Sequence, residues 1–118
     1  ADCIESCTAC EHLCLETLAW CQGKAPPFGE RKLLSLLALC ADVCAASARA
    51  MIGGSDAHVY LCHACAQVCL RCADACGVLP MEQQLRACAS ACANAARCCA
   101  DMARAPESGH EAQARHGS

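Results

Sequence analysis

Cysteines recur along this chain at the spacing of an α-helix. Sixteen of the 118 residues are cysteine, and six pairs of them stand four positions apart. Residues i and i+4 share one face of a helix, so each pair marks a helical stripe. The pairs are Cys3/Cys7, Cys10/Cys14, Cys40/Cys44, Cys65/Cys69, Cys72/Cys76 and Cys88/Cys92. A fold for this chain must therefore turn several thiol stripes toward a common core.

Glycine and proline divide the chain into four segments that contain neither residue internally. Alanine, leucine, glutamate and arginine dominate these segments, which favours helices. We predict helices at Asp2–Gln22, Glu30–Ile52, Asp56–Cys76 and Met81–Arg104. We expect Ser55 to be an N-cap, and Gly23, Gly53 and Gly77 to follow helix ends with positive φ. Short loops between helices of similar length predict an all-α fold, an up-down-up-down antiparallel four-helix bundle with a cysteine-lined core.

We assign residues 1–105 to one bundle domain and expect the polar tail, residues 106–118, to be disordered. The net charge of -3 gives no basic excess for nucleic acid. The longest uncharged stretch, residues 57–70, is shorter than the roughly 18 residues that span a bilayer, so we predict no membrane contact. The start of the chain has no basic region followed by an apolar one, so a targeting segment is either absent or already removed.

On ideal helices the thiols occupy narrow arcs, about 60° wide on the first helix, 80° on the third and 40° on the fourth. Cys98 lies about 80° to the side of the last arc. The second helix carries only two cysteines, and other side chains extend its stripe: Leu33, Leu36, Leu37, Ser47 and Met51. No charged residue falls well inside the arcs. The thiols therefore form the core.

Buried cysteines serve as core filler, disulfides or metal ligands. A disulfide needs Cβ atoms roughly 3.5–4.5 Å apart, whereas i and i+4 neighbours on a helix stand about 5–6 Å apart. A metal with thiolate bonds of about 2.3 Å bridges sulfurs about 4.6 Å apart, so metal binding fits the spacing. Iron–sulfur clusters are usually held from loops, and this spacing stays helical. Metal binding is the reading that the pattern favours.

Charge favours multiple Cu(I) ions among the metals. A divalent ion on four thiolates leaves an excess negative charge, which is costly in a core without inward cations. Monovalent, soft Cu(I) approaches neutrality when ions and shared thiolates match one to one. Two alternatives stay open: a zinc or cadmium thiol sink, and a thiol oxidoreductase built on Cys7/Cys10, Cys62/Cys65 or Cys69/Cys72. We predict a storage protein and not an enzyme.

The bundle topology brings Cys3, Met51, His58 and Met102 to one end, here called the histidine end, as a candidate uptake site for the metal. The opposite end, called the leucine end, is expected to be filled by Leu33, Leu36, Leu37 and Met81. His12 and His63 fall off the arcs and are expected at the surface, and His110 and His116 lie in the tail. Trp20, Phe28 and Tyr60 are expected to cover the bundle or a subunit contact.

The predicted metal ligands are thus the sixteen thiols with one histidine and two methionines. They are Cys3, Cys7, Cys10, Cys14, Cys21, Cys40, Cys44, Cys62, Cys65, Cys69, Cys72, Cys76, Cys88, Cys92, Cys98, Cys99, His58, Met51 and Met102.

The motifs CIESCTACEHLC, CADVC, CHACAQVCLRCADAC and CASAC resemble those of the bacterial copper storage proteins, over residues 2 to 104. The resemblance implies a four-helix bundle in which each Cys-x-x-x-Cys pair holds Cu(I), with further ions between helices. It also implies homotetramers. We further predict exchange with copper donor or acceptor proteins. The family has exported and cytosolic members, and the sixteen cysteines favour the cytosolic branch.

Overall fold

A computed structural model describes residues 2–79 and 81–106, which form four helices. These are α1 (Cys3–Cys21), α2 (Arg31–Ile52), α3 (His58–Gly77) and α4 (Gln83–Pro106). All four predicted helices are confirmed, with ends that shift by at most two residues. Pro106 closes α4, one residue beyond the predicted domain boundary, and the rest of the predicted tail lies outside the described residues.

The helices pack in a ring in which each contacts two neighbours. α1 packs against α2 and α4, and α3 packs against the same two helices. Every buried cysteine of the four helices joins one core cluster, together with small residues such as Ala41 and Ala95. The predicted all-α four-helix bundle with a cysteine-lined core is confirmed.

The helix ends differ from the sequence expectations where loop geometry decides. Asp2 caps α1, since its carboxylate accepts from the Glu5 amide at 2.9 Å. Ser55 is not the N-cap of α3, because its hydroxyl accepts from the Ala57 amide inside the preceding turn at 3.1 Å. Gly23 has the expected positive φ of 82°, but in the next loop Gly54, with φ of 68°, takes that role instead of Gly53. Gly77 is the last residue of α3 and does not have positive φ.

By length and composition alone, α2 is apolar enough to cross a membrane. The count of uncharged runs in the sequence does not detect this, because scattered charges break the runs while the mean hydropathy stays high. In the bundle, however, Leu33, Leu37, Cys40 and Cys44 of α2 are buried in the core. The hydropathy of α2 therefore matches that of a core helix.

The leucine end is closed by side chains from three helices. Leu37 and Leu85 are fully buried and Leu33 nearly so. Beside them the Gln84 amide donates to the buried Thr17 hydroxyl at 2.9 Å. Met81 was expected here, but its side chain is 70% exposed, because α4 begins only at Gln83 and leaves it in the preceding loop. Leu85, one turn further along α4, fills the space.

Candidate metal centre

The thiols form the interior of the bundle. All sixteen cysteines lie in the described residues and none is in a disulfide. Fifteen of them are buried, and Cys98 is the one that is partly exposed. The predicted inward orientation of the thiol stripes is therefore correct, and even the off-centre Cys98 reaches the core edge.

Sulfur atoms from different helices converge in the middle of the bundle. Three groups of four thiols have all their sulfur atoms within 4.8 Å of one another: Cys10/Cys40/Cys44/Cys69, Cys10/Cys14/Cys40/Cys92 and Cys14/Cys72/Cys88/Cys92. Neighbouring groups share two cysteines each, so the three groups form one continuous column and not three separate sites. Only a set of ions that share sulfurs could use all of it.

Two groups of three extend this column to the histidine end. Cys7, Cys65 and Cys99 form one group, and Cys3, Cys98 and Cys99 form the other. Cys99 belongs to both, with its sulfur 3.4 Å from that of Cys7 and 3.7 Å from that of Cys3. Sulfur neighbours thus follow one another from the core to the end of the bundle.

Distances within one helix and between helices are similar. The sulfurs of the pair Cys10/Cys14 are 3.9 Å apart and those of Cys65/Cys69 are 3.6 Å apart. Across helices the sulfurs of Cys40 and Cys69 are also 3.6 Å apart. All of these are shorter than the roughly 4.6 Å that one ion with two thiolate bonds spans in a straight line. Small side-chain rotations would open each gap to that width.

His58 stands at the histidine end with one ring nitrogen free. Its Nδ1 lies 2.8 Å from the Ser55 carbonyl oxygen, which can only accept, so Nδ1 carries the proton. In the neutral ring Nε2 then has the lone pair, and this atom is buried without a hydrogen-bond partner. Met51 and Met102 are half-buried against the core. His58 belongs to none of the groups in which the ligand atoms lie within 4.8 Å of one another.

The remaining aromatic and histidine residues lie outside the core. His12, His63 and Tyr60 are exposed. Trp20 and Phe28 pack edge to face with ring centroids 5.2 Å apart. Both are half-buried against the core, as predicted for residues that cover the bundle. His110 and His116 lie outside the described residues.

Comparison with known proteins identifies the family. The sequence profile of the copper storage proteins matches residues 1–104. The chain belongs to the copper storage protein family. Its predicted resemblance to that family is confirmed.

Individual relatives are similar in sequence or structure to this copper storage family member over most of their length. The uncharacterized cysteine-rich protein YhjQ of Bacillus subtilis (strain 168) is 32% identical over 101 residues, which cover 86% of this chain and 93% of YhjQ. The structure of the Cu(I)-bound copper storage protein BsCsp3 has a TM-score of 0.79 at 32% identity, covering 86% of this chain and 94% of its own. The Nmul_A1745 protein of Nitrosospira multiformis has a TM-score of 0.78 at 29% identity, covering 86% and 91%.

Burial and mutual hydrogen bonding perturb the thiols of this copper storage family member. Burial raises the pKa of Cys62 to about 11 and that of Cys98 to about 12. Hydrogen bonding with Cys7 raises the pKa of Cys3 to about 11, while the same interaction lowers the pKa of Cys7 to about 6. No charged side chain is buried in the described part of the chain. Ionised thiols in this core therefore need cations from outside the protein.

Sequence reasoning missed two residues that shape the core. Thr17 and Leu85 are both fully buried, and each lies three positions from a core cysteine, Cys14 and Cys88 respectively. That spacing was a usable signal, because i and i+3 share a helix face. Neither residue was predicted because the stripes of these two helices were defined by their cysteines alone. The structure also leaves three of the predicted thiol ligands, Cys21, Cys62 and Cys76, outside the sulfur groups.

Proposed function

We propose that this protein stores and buffers many Cu(I) ions on its core thiolates. The observation that carries the proposal is the continuous sulfur column. The three four-thiol groups share cysteines, the two three-thiol groups share Cys99, and contacts of Cys65 with Cys44 and Cys69 join the two sets. Thiolates are soft ligands, which favour Cu(I). The BsCsp3 structure, similar over 86% of this chain, is described as Cu(I)-bound.

Charge in the core also favours Cu(I). The described core buries Thr17 and Ser47 as its polar residues and no charged one. A monovalent ion that displaces one thiol proton leaves the net charge of the interior unchanged, whereas unpaired buried charge is costly. Charge therefore does not accumulate in the core as Cu(I) ions are added, until every thiol has exchanged its proton.

A zinc or cadmium sink is the second candidate, because each four-sulfur group has the composition of a tetrahedral Cys₄ site. The shared cysteines limit this alternative. The middle group shares Cys10 and Cys40 with one neighbour and Cys14 and Cys92 with the other, so unshared Cys₄ sites cannot fill all three groups. Bridging ions use every sulfur.

A thiol oxidoreductase needs a reactive thiol that a substrate can reach. The cysteines of the three candidate Cys-x-x-Cys pairs are fully buried: Cys7, Cys10, Cys62, Cys65, Cys69 and Cys72. Buried structural thiols are usually inert, so this arrangement favours storage over catalysis.

We further infer that Cu(I) is taken up at the histidine end. Three soft or neutral ligands, Met51, His58 and Met102, lie at the same end of the bundle as the first core thiol, Cys3. The free, buried Nε2 of His58 supports the assignment, because neutral imidazole binds metal without losing a proton. From Cys3 an ion could move to Cys99 and Cys7 without becoming free, since each step is under 4 Å.

Within the column, the Cys-x-x-x-Cys pairs are proposed as two-thiolate sites, with additional ions between helices. We also propose a cytoplasmic homotetramer that exchanges copper with donor or acceptor proteins. Family membership supports both proposals. Sedimentation analysis of the apo and loaded protein tests the tetramer, and fractionation of the native cells tests the compartment.

Titration of the reduced protein with Cu(I), in the presence of a competing chelator, tests the storage function. We expect saturation near one ion per buried thiol. Metal analysis of the isolated complex then measures the number of bound ions. Saturation at about four ions, as for separate Cys₄ sites, would instead support the zinc reading. Competition between Cu(I) and Zn²⁺ for the same apo sample provides the matched control.

A further inference from the structure

Two thiols at the histidine end lie closer together than the other thiol pairs whose sulfur distances are known. The sulfurs of Cys3 and Cys98 are 2.8 Å apart, whereas the contact between Cys7 and Cys99 is 3.4 Å and those in the middle of the column are longer. Cys3 is the first residue of α1, and Cys98 lies in α4. The contact therefore joins two helices, unlike the pairs within one helix.

These two thiols are also the ones that solvent reaches. Cys98 is the partly exposed cysteine, and Cys3 keeps 8% of its surface exposed. The other fourteen cysteines, all within the described residues, are completely buried. A dissolved oxidant meets this pair before any other thiol.

We propose that Cys3 and Cys98 form a reversible disulfide that closes the histidine end when a hydroperoxide is present. Disulfides in Cys-x-x-x-Cys pairs would distort a helix, but this pair crosses between two helices. Cys3 is at a helix terminus, where a small backbone shift breaks few hydrogen bonds. Cys98 directs its S–H to the Ala95 carbonyl at 3.5 Å, so its sulfur lone pairs are available to Cys3.

The reaction consumes one peroxide. The Cys98 sulfur attacks the peroxide O–O bond while its thiol proton passes to the departing oxygen. This forms a sulfenic acid and releases water from hydrogen peroxide, or the alcohol from an organic hydroperoxide. The Cys3 sulfur then attacks the Cys98 sulfur and displaces the hydroxyl, which takes up the Cys3 proton and leaves as water. Two thiols are oxidised by two electrons and the peroxide is reduced by two. A small dithiol reverses the step by thiol–disulfide exchange.

Closure acts on copper traffic in two ways. It removes Cys3, the first thiol on the uptake route, and Cys98 from the ligand set. It also ties the start of α1 to α4 at the proposed uptake site. This consequence rests on the proposed function, whereas the disulfide itself does not. Bound Cu(I) should protect the pair, because both thiols are then occupied.

The disulfide can be mapped directly, because Glu5 separates Cys3 from Cys7 and Arg97 precedes Cys98. Reduced apo protein is treated with one equivalent of hydrogen peroxide, free thiols are alkylated, and the chain is cut after Glu and after Arg. We expect the peptide ending at Glu5 to be joined to peptide 98–104, with fragmentation assigning the link to Cys98. Cys99→Ser should keep the link and Cys98→Ser should abolish it. Oxidation spread evenly over the buried thiols, or a link to Cys99, overturns the proposal.

The rate of Cu(I) uptake tests whether the Cys3–Cys98 disulfide closes the histidine end. Oxidised protein should take up Cu(I) more slowly than reduced protein in stopped flow, and dithiothreitol should restore the rate. In Cys98→Ser, or Cys98→Ala if the first variant folds poorly, peroxide treatment should not change the uptake rate that the same variant shows when reduced. A disulfide that forms without slowing uptake overturns the proposed closure of the histidine end but does not contradict the storage function. Reduced protein that takes up no Cu(I) refutes the storage function, while the peptide map still decides whether the disulfide forms.

Discussion

The two ends of the bundle have the same helical framework but opposite chemistry. At the histidine end the inward positions carry soft ligands, including Cys3, Cys98 and His58, and some of these reach solvent. At the leucine end Leu37 and Leu85 fill the same kind of position and are fully buried. Aliphatic side chains cannot bind metal but do supply packing energy. One end thus stabilises the empty protein, and the other is the proposed route of metal to the thiols.

The largest expected effect is on stability at the leucine end. Leu37→Ala should lower the free energy of unfolding of the apo protein by about 2–5 kcal/mol, because it leaves a cavity in a packed core. Met51→Ala at the histidine end should cost less, because Met51 is only half-buried. Chemical denaturation of the reduced apo proteins measures both. Leu39→Ala, on the exposed face of α2, is the control. Equal losses of unfolding free energy in Leu37→Ala and Met51→Ala would contradict the proposed difference between the two ends.

The second prediction separates capacity from rate. Cys65→Ser with Cys69→Ser should reduce the number of bound Cu(I) ions and leave the initial uptake rate nearly unchanged, because both thiols lie inside the column. His58→Ala with Met51→Ala should slow loading and removal while capacity stays nearly the same. Stopped-flow uptake and metal analysis provide the two readouts. An uptake rate that is unchanged in the His58/Met51 variant would contradict uptake at the histidine end. It would favour entry at the leucine end or through an opening between helices.

The third prediction concerns protons at the histidine end. Cys3 and Cys62 have pKa values of about 11, so both are protonated at pH 7 and each must lose its proton to bind Cu(I). Proton competition therefore weakens binding at these thiols at every pH below about 11. Cys7, with a pKa of about 6, should resist competition until the pH falls below that value. Loading in weak buffer at pH 7 should release protons, and Cys7→Ser should lower that release less than Cys62→Ser.

The smallest expected effect is at Cys21, beyond Leu37 and Leu85. This thiol is buried but belongs to none of the sulfur groups, and burial raises its pKa. Cys21→Ala should therefore change the copper capacity less than Cys14→Ala, because Cys14 belongs to two groups. Metal analysis after full loading compares the two variants. A larger loss for Cys21→Ala would show that the leucine end also holds copper.

Some residues were predictable because their environment depends on local periodicity. Cys10 and Cys14 lie four positions apart, and this spacing puts them on one face of any α-helix regardless of what surrounds it. Leu37 continues the same face of α2 toward the leucine end. Ser55, Gly53 and Met81 were predicted wrongly because each stands at a junction, where the path of the loop between two packed helices decides the backbone.

The sequence by itself determined the four helices, their thiol faces and the location of soft ligands at one end. These features follow from the 3.6-residue period, from the breakers and from short loops that force neighbouring helices to run antiparallel. Only the tertiary structure decided which thiols meet, such as Cys3 with Cys98 and Cys40 with Cys69. Those contacts depend on the rotation and axial shift of each helix against its neighbours. Side chains from all four helices together set the rotation and the axial shift, so no single segment of the sequence determines these contacts.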